Sequence, residues 1–174
     1  MFWEPIAMLQ ARAGLMSEAG RFQKHFEEVN LRRLTQRDRP ELHEITGEVA
    51  LARGNLARAI SEFEKATTLF GDFGGNGSGF QLSFESLATA LRKKGDVPRA
   101  IQVLERASER KFQAVIDGAT GAYWMRNRLD LAKLYRRVGR VEEARAIETD
   151  LLKVLALADA DHPMLLELKR LPTS

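Results

Sequence analysis

Apolar positions recur three and four residues apart along most of this chain, the spacing of one buried face on an α-helix. Runs of alternating β-branched residues bounded by turn dipeptides, the signature of strands, are nearly absent. The periodicity predicts helices over about 3–13 and 16–30 around Gly14, over about 40–53 up to Gly54, and over about 56–69 with Ile60, Phe63 and Ala66 on one face. A helix of about 81–94 ends at Gly95, and the next runs to about 109 and buries Ala100, Ile101, Leu104 and Ala107. Helices of about 122–138 and 141–156 are split by Gly139, and His162-Pro163 opens a last short helix with Met164, Leu165, Leu168 and Leu171 as its stripe. Asp38 with Pro40, Asn55, and Asp96 with Pro98 have the residue types that cap helix starts. The glycine-rich stretch Gly71 to Phe80, the segment Asp117 to Gly121 and the basic connector 31–39 read as the links.

The helix-breaking glycines carry a repeat. Gly54 is followed five residues on by Ala59, then by Phe63 and Ala66, and Gly95 is followed at the same spacings by Ala100, Leu104 and Ala107. Gly139 is followed by Ala144 and then, less regularly, by Glu148 and Leu151. Seven residues before each glycine stands Gly47, Ala88 or Ala132, and four before stands Ala50, Leu91 or Tyr135. Two antiparallel helices joined by a tight turn approach closely only where small residues face each other, and glycine takes the helix-ending conformation that other residues adopt at a cost. Helix, turn, helix is therefore encoded at least three times.

Over residues 40–156 this pattern resembles the tetratricopeptide repeat: a small and then a large residue on the first helix, the turn glycine, and alanine, large apolar, alanine on the second. The resemblance implies an all-α fold, a right-handed α-solenoid of helix–turn–helix hairpins with a C-terminal capping helix. It divides a single 1–174 repeat domain into a degenerate N-terminal hairpin over 1–38, repeats over 39–70, 81–111 and 122–156, and a capping helix over 162–172. The anchor alanines Ala59, Ala100 and Ala144 are 41 and 44 residues apart, longer than the roughly 34 of the usual repeat, which implies longer helices or loops. In the N-terminal unit Trp3, Ala7, Gly14 and Ala19 fall at matching places, but its second helix fits the pattern poorly.

First helices line the groove of such arrays. Carried over, the groove positions are Glu41, Glu44 and Glu48, then Leu82, Glu85, Thr89, Arg92 and Lys93, then Arg126, Leu129, Lys133, Arg136 and Arg137. The resemblance thus implies a protein-interaction scaffold whose groove is acidic at one end and basic at the other, suited to a protein or peptide partner with an acidic segment. The basic carboxylate clamp of some family members is not reproduced, because Glu44 and Asp130 stand where it needs other residues. A second likeness is carried by Gly54-Asn55, Phe63-Glu64-Lys65-Ala66, the glycine loop, Gly95-Asp96, Ala100-Ile101 and the tail Asp159 to Pro163. These are similar to the C-terminal repeat regions of bacterial eukaryotic-like serine/threonine kinases and winged-helix regulators, which implies the alternative of a regulatory or sensor segment of a larger protein.

Composition narrows the chemistry. With 174 residues, 44% of them apolar, the chain can build a continuous core. It has no cysteine, which removes disulfides, thiolate metal sites and a cysteine nucleophile and fits a reducing, cytoplasmic setting. No segment approaches the roughly 20 apolar residues of a membrane helix, and Glu4 and Pro5 interrupt the N-terminal apolar stretch, unlike a signal peptide. The net charge of +3 is too small to argue for nucleic acid, and no aromatics interleave with Arg32, Arg33, Arg37, Arg39, Arg136, Arg137 and Arg140. The loop Gly74 to Gly79 lacks the lysine and flanking strand of a phosphate cradle, so it reads as a connector that Phe70, Phe73 and Phe80 pin down. His25, His43 and His162 have no metal-ligand spacing, and the adjacent pairs Glu27-Glu28 and Glu142-Glu143 diverge around a helix. Trp3, Tyr123 and Trp124 read as core or end-cap aromatics. No catalytic set, metal or cofactor is expected, no membrane or nucleic-acid partner either, and self-association through an exposed end is left open.

Overall fold

The computed structural model describes residues 3–31, 40–72, 79–109 and 119–171. The basic connector with Arg32, Arg33, Arg37 and Arg39, the Asp38 cap, the core of the glycine loop and the segment around Asp117 lie outside the described residues, as do the side chains of Trp3, Phe70, Phe73 and Phe80. Among the described residues every regular element is helical: α1 (Trp3–Arg12), α2 (Met16–Leu31), α3 (Pro40–Ala52), α4 (Leu56–Asp72), α5 (Gly79–Lys94), α6 (Val97–Glu109), α7 (Ala119–Arg137), α8 (Val141–Val154) and α9 (Pro163–Lys169). The helices run further into the expected loops than the sequence suggested. Helix α4 reaches Asp72, α5 starts at Gly79 and α7 at Ala119, so the long spacing between anchor alanines is taken up in part by longer helices.

All four turns share one construction. Gly14, Gly54, Gly95 and Gly139 sit at φ of 77, 74, 88 and 82°, where only glycine is unstrained. At Gly54 the glycine N–H donates to the Leu51 carbonyl and the next N–H, of Asn55, reaches back to Ala50. Gly14, Gly95 and Gly139 repeat both bonds with their own neighbours. This double bond satisfies carbonyls that the helix end leaves bare. The residue after the glycine ends one helix and begins the next, since its own carbonyl accepts from Ala19, Ala59, Ala100 or Ala144 five residues past the glycine. At two of these positions a side chain adds a cap: Asn55 Oδ1 accepts from the Arg58 N–H at 3.2 Å and Asp96 Oδ1 from the Arg99 N–H at 3.3 Å.

Packing follows from the small residues. Ala19, Ala59, Ala100 and Ala144 are fully buried, so each hairpin closes at its anchor alanine. Each first helix also packs on the next, α1 on α3, α3 on α5 and α5 on α7, while α2, α4 and α6 wedge against the following first helix. A continuous core runs from Ala50 through Phe63, Phe84, Leu91, Leu104, Leu131 and Leu151 to Met164 and Leu168 of α9, which covers the last hairpin. End coverage of this kind is what a one-dimensional stack requires. The N-terminal segment, expected to be degenerate, forms a complete hairpin. Gln23 stands where the other units have Phe63 or Leu104, and its amide bonds Thr46 and Glu27, so a polar contact replaces the missing apolar one.

Candidate partner-binding face

Because α1, α3, α5 and α7 lie side by side, their charged residues meet. The Arg12 guanidinium at the end of α1 donates to Glu48 Oε1 of α3 from Nε at 3.1 Å and from Nη2 at 2.8 Å, and Nη2 also donates to Ser86 Oγ of α5 at 2.7 Å. The Ser86 hydroxyl donates in turn to Glu48. Glu85 of α5 holds Arg126 of α7 at 2.6 Å and faces Arg12 Nη1 at 4.0 Å. Further along, Arg92 reaches Asp130 at 3.3 Å, and Lys133 bridges Asp130 and Glu167 of α9 at 3.4 and 2.5 Å. The face predicted to run from acidic to basic is a ladder of alternating charges in which most members neutralise a neighbour on the next helix.

Cavity lining and ion pairing sort the predicted site residues: Glu48 and Glu85 are buried yet line the smaller cavity, whereas Glu44 and Arg136 line neither of the two cavities described below. Glu48, Glu85, Arg92, Arg126 and Lys133 belong to the ladder. Glu41 is half-buried in the first turn of α3, and Lys93 and Arg137 are exposed. Glu44 is a correction: it is fully buried and accepts a hydrogen bond from Ser83 Oγ at 2.9 Å, so it joins α3 to α5 instead of facing a partner. Arg136 is a second correction. It binds both oxygens of Glu148 on α8, Nε at 2.6 Å and Nη2 at 2.7 Å, with both side chains largely buried. Glu148 stands where the other units carry Phe63 and Leu104, so Arg136 neutralises the charge that made this repeat irregular.

Two cavities open along these helices. One, of about 280 Å³, lies among α1, α3 and α5, with Ala11, Leu51 and Ala52 as apolar wall and Arg12, Thr89 and Lys93 as polar wall. The other, of about 480 Å³, lies between α7 and α9, with Met125, Leu129, Pro163 and Met164 as floor and Arg126, Asp130 and Lys133 at its rim. Burial pushes the Glu85 carboxyl above the usual carboxylate range, against the opposing pull of Arg126 and Arg12. Sequence reasoning missed Arg12, the residue that joins three helices, because its partners lie 36 and 74 residues away. It also missed His43, whose Nδ1 lies 2.6 Å from Glu62 Oε2 across the α3–α4 hairpin. Trp124 is buried, as expected for a core aromatic, and its N–H donates to the Ser108 carbonyl. Among the described residues no three His, Asp or Glu side chains converge as metal ligands, and no helix is long and apolar enough to cross a membrane.

Comparison with known proteins agrees with the hairpin geometry. Residues 30–72 and 83–114 each match a model of the tetratricopeptide repeat. No curated protein matches the sequence. Among solved structures, two crystal structures of nearly identical TPR-like repeats from a candidate kinesin light chain of Podosopora anserina are similar. One aligns with a TM-score of 0.65 at 20% identity. The other, a variant of the same repeats with one glutamine replaced by methionine, aligns with a TM-score of 0.67 at 18% identity. Each alignment covers 96% of this chain and 80% of the other. At that identity the likeness establishes the fold: an all-helical stack of tetratricopeptide-like hairpins. Such repeats generally mediate protein–protein interactions and serve as non-catalytic scaffolds.

Proposed function

We propose that this chain is an interaction module that holds an extended segment of a protein partner along the face formed by α1, α3, α5 and α7. The observation that carries the reading is the pair of cavities, about 280 and 480 Å³, opening beside these first helices. Apolar floors give a partner's side chains somewhere to bury, and charged rims fix their orientation. The site residues in this reading are Glu48, Glu85, Arg92, Lys93, Arg126, Lys133 and Arg137, with Arg12 added and Glu44 and Arg136 withdrawn to the interior. Glu41 belongs to the edge of the face. The motif likeness to bacterial kinases and winged-helix regulators supplies a setting for the same role, one domain of a larger regulator.

Selection from a displayed library of random dodecapeptides tests the proposal without a known partner. Enriched peptides are expected to lose at least about tenfold in affinity for a Met125→Arg variant, which fills the larger cavity and desolvates a charge there. Unchanged binding to that variant and to Thr89→Arg would refute the assignment of the face.

A further inference from the structure

The apolar core breaks at the N-terminal joint. It starts at Ala50 and takes in every hairpin from the second onward, with α9 joined to it through Met164 and Leu168. The first hairpin meets α3 through two separate small clusters, Ala7, Met8 and Phe26 around Ile45, and Ala11 and Ala19 around Val49. Polar contacts accompany them. Gln23 Nε2 donates to Thr46 Oγ1 at 3.1 Å, and Arg12 Nη2 donates to Glu48 Oε1 at 2.8 Å. Counted from the turn glycines, Gln23 and Thr46 stand where the second joint has Phe63 and Leu87 and the third has Leu104 and Leu131. Those four side chains are buried in the continuous core. Polar bonds also join α3 to α5, Ser83 to Glu44 and Ser86 to Glu48, but there Phe63, Phe84 and Leu87 carry the core across. A hydrogen-bonded pair contributes little net, because water satisfies the same groups when it opens. An apolar pair is held by its removal from water.

We infer that the α1–α2 hairpin is a detachable unit, which undocks from α3 cooperatively while α3 to α9 stay folded, with Arg12 as its latch. In a stack, stability is a sum of unit and joint contributions, so the joint with the least apolar continuity opens first. Undocking uncovers Ile45 and Val49 and takes Ala11 and Arg12 out of the wall of the smaller cavity. That half of the first-helix face is complete only while the hairpin is docked, so docking gates it. The larger cavity, between α7 and α9, shares no residue with the first hairpin. The inference goes beyond the interaction-module reading and does not depend on what the face binds.

Native-state hydrogen exchange of the full chain, resolved by helix, tests this. Amides of α1 and α2 are expected to exchange through one shared opening, at least about tenfold more often than those of α4 to α8. Arg12→Gln leaves Glu48 without its base and is expected to speed α1 and α2 about tenfold. Gln23→Leu combined with Thr46→Val makes the seam apolar, as at the other joints, and is expected to slow them about threefold or more. Ile147→Val, in the core of the last hairpin, is expected to speed α8 about threefold and to leave α1 and α2 unchanged. Circular dichroism checks that the variants are folded; if the double variant is not, the two single ones decide. Exchange of α1 and α2 that tracks Ile147→Val would mean global unfolding only. Exchange graded inward from the start of α1, with α2 as slow as α3, would mean end fraying only. Either result, or no response to Arg12→Gln, overturns the inference. None of them touches the module reading, which fails only if library-selected peptides ignore Met125→Arg and Thr89→Arg.

Discussion

The first hairpin after the N-terminal one contains a size match that can be broken and restored. An added Cβ on Gly47 would lie 2.6, 2.8 and 2.9 Å from three ring carbons of Phe63, closer than real carbon contacts allow. Phe63 is fully buried, so its ring has nowhere to swing. Forcing a methyl into such a core costs about 1–3 kcal/mol. Alanine recovers about 1 kcal/mol of that through its better helix propensity, so Gly47→Ala alone should destabilise by about 0–2 kcal/mol. Phe63→Leu alone leaves unfilled space and should cost about 1–2 kcal/mol, below the about 3–5 kcal/mol of a full Phe→Ala truncation. Together the two substitutions recreate the pairing of the next repeat, where Ala88 and Leu104 occupy the same two positions. The propensity gain cancels from a double-mutant cycle, and the clash survives as a favourable coupling of about 1–3 kcal/mol. Urea unfolding of the four proteins, followed by circular dichroism, measures it. Coupling within about 0.5 kcal/mol of zero would mean that Gly47 and Phe63 do not face each other and that the hairpin register is wrong.

Two further predictions concern the cap position Leu15 and the buried carboxyl of Glu85. Leu15 occupies the capping position filled by Asn55 and Asp96 and is half exposed, so Leu15→Asn should stabilise the first hairpin by about 0.5–1 kcal/mol, read as a rise in thermal midpoint. Burial raises the Glu85 pKa in the folded chain, so the folded state holds this proton more tightly than the unfolded one. The associated stability is complete below the unfolded value of 4.5 and is lost as pH rises through the higher folded value. Glu85→Gln mimics the protonated form, so the variant should gain stability relative to wild type as pH is raised from 4.5 to 7.5. A relative stability that falls over that range would contradict the sign.

Legibility from sequence depended on distance along the chain. The turn glycines and anchor alanines were readable because five residues separate Gly54 from Ala59 and the physics between them is local. The Asn55 and Asp96 caps were readable for the same reason. Glu44 was misread because a glutamate on a first helix looks like a surface charge, and the Ser83 that lets it be buried lies 39 residues away. Arg12 was invisible for the same cause. Arg136 was recoverable in principle: Glu148 breaks the apolar register, only 12 residues lie between the two, and a buried carboxylate needs a base. The helix extensions at Asp72 and Gly79 sit in a glycine-rich stretch whose composition argues for a loop, so composition alone could not place these helix ends.

If the first helices present one continuous binding face, residues on them contact a bound peptide and exposed residues on the second helices do not. Benzoylphenylalanine placed in turn at Thr89 and Ala122 on that face, and at Gln102 and Ala146, exposed on the second helices α6 and α8, tests it directly with a library-selected peptide as the probe. Crosslinks are expected from Thr89 and Ala122 and not from Gln102 or Ala146. Crosslinks from the second-helix positions, with none from Thr89 and Ala122, would contradict the account.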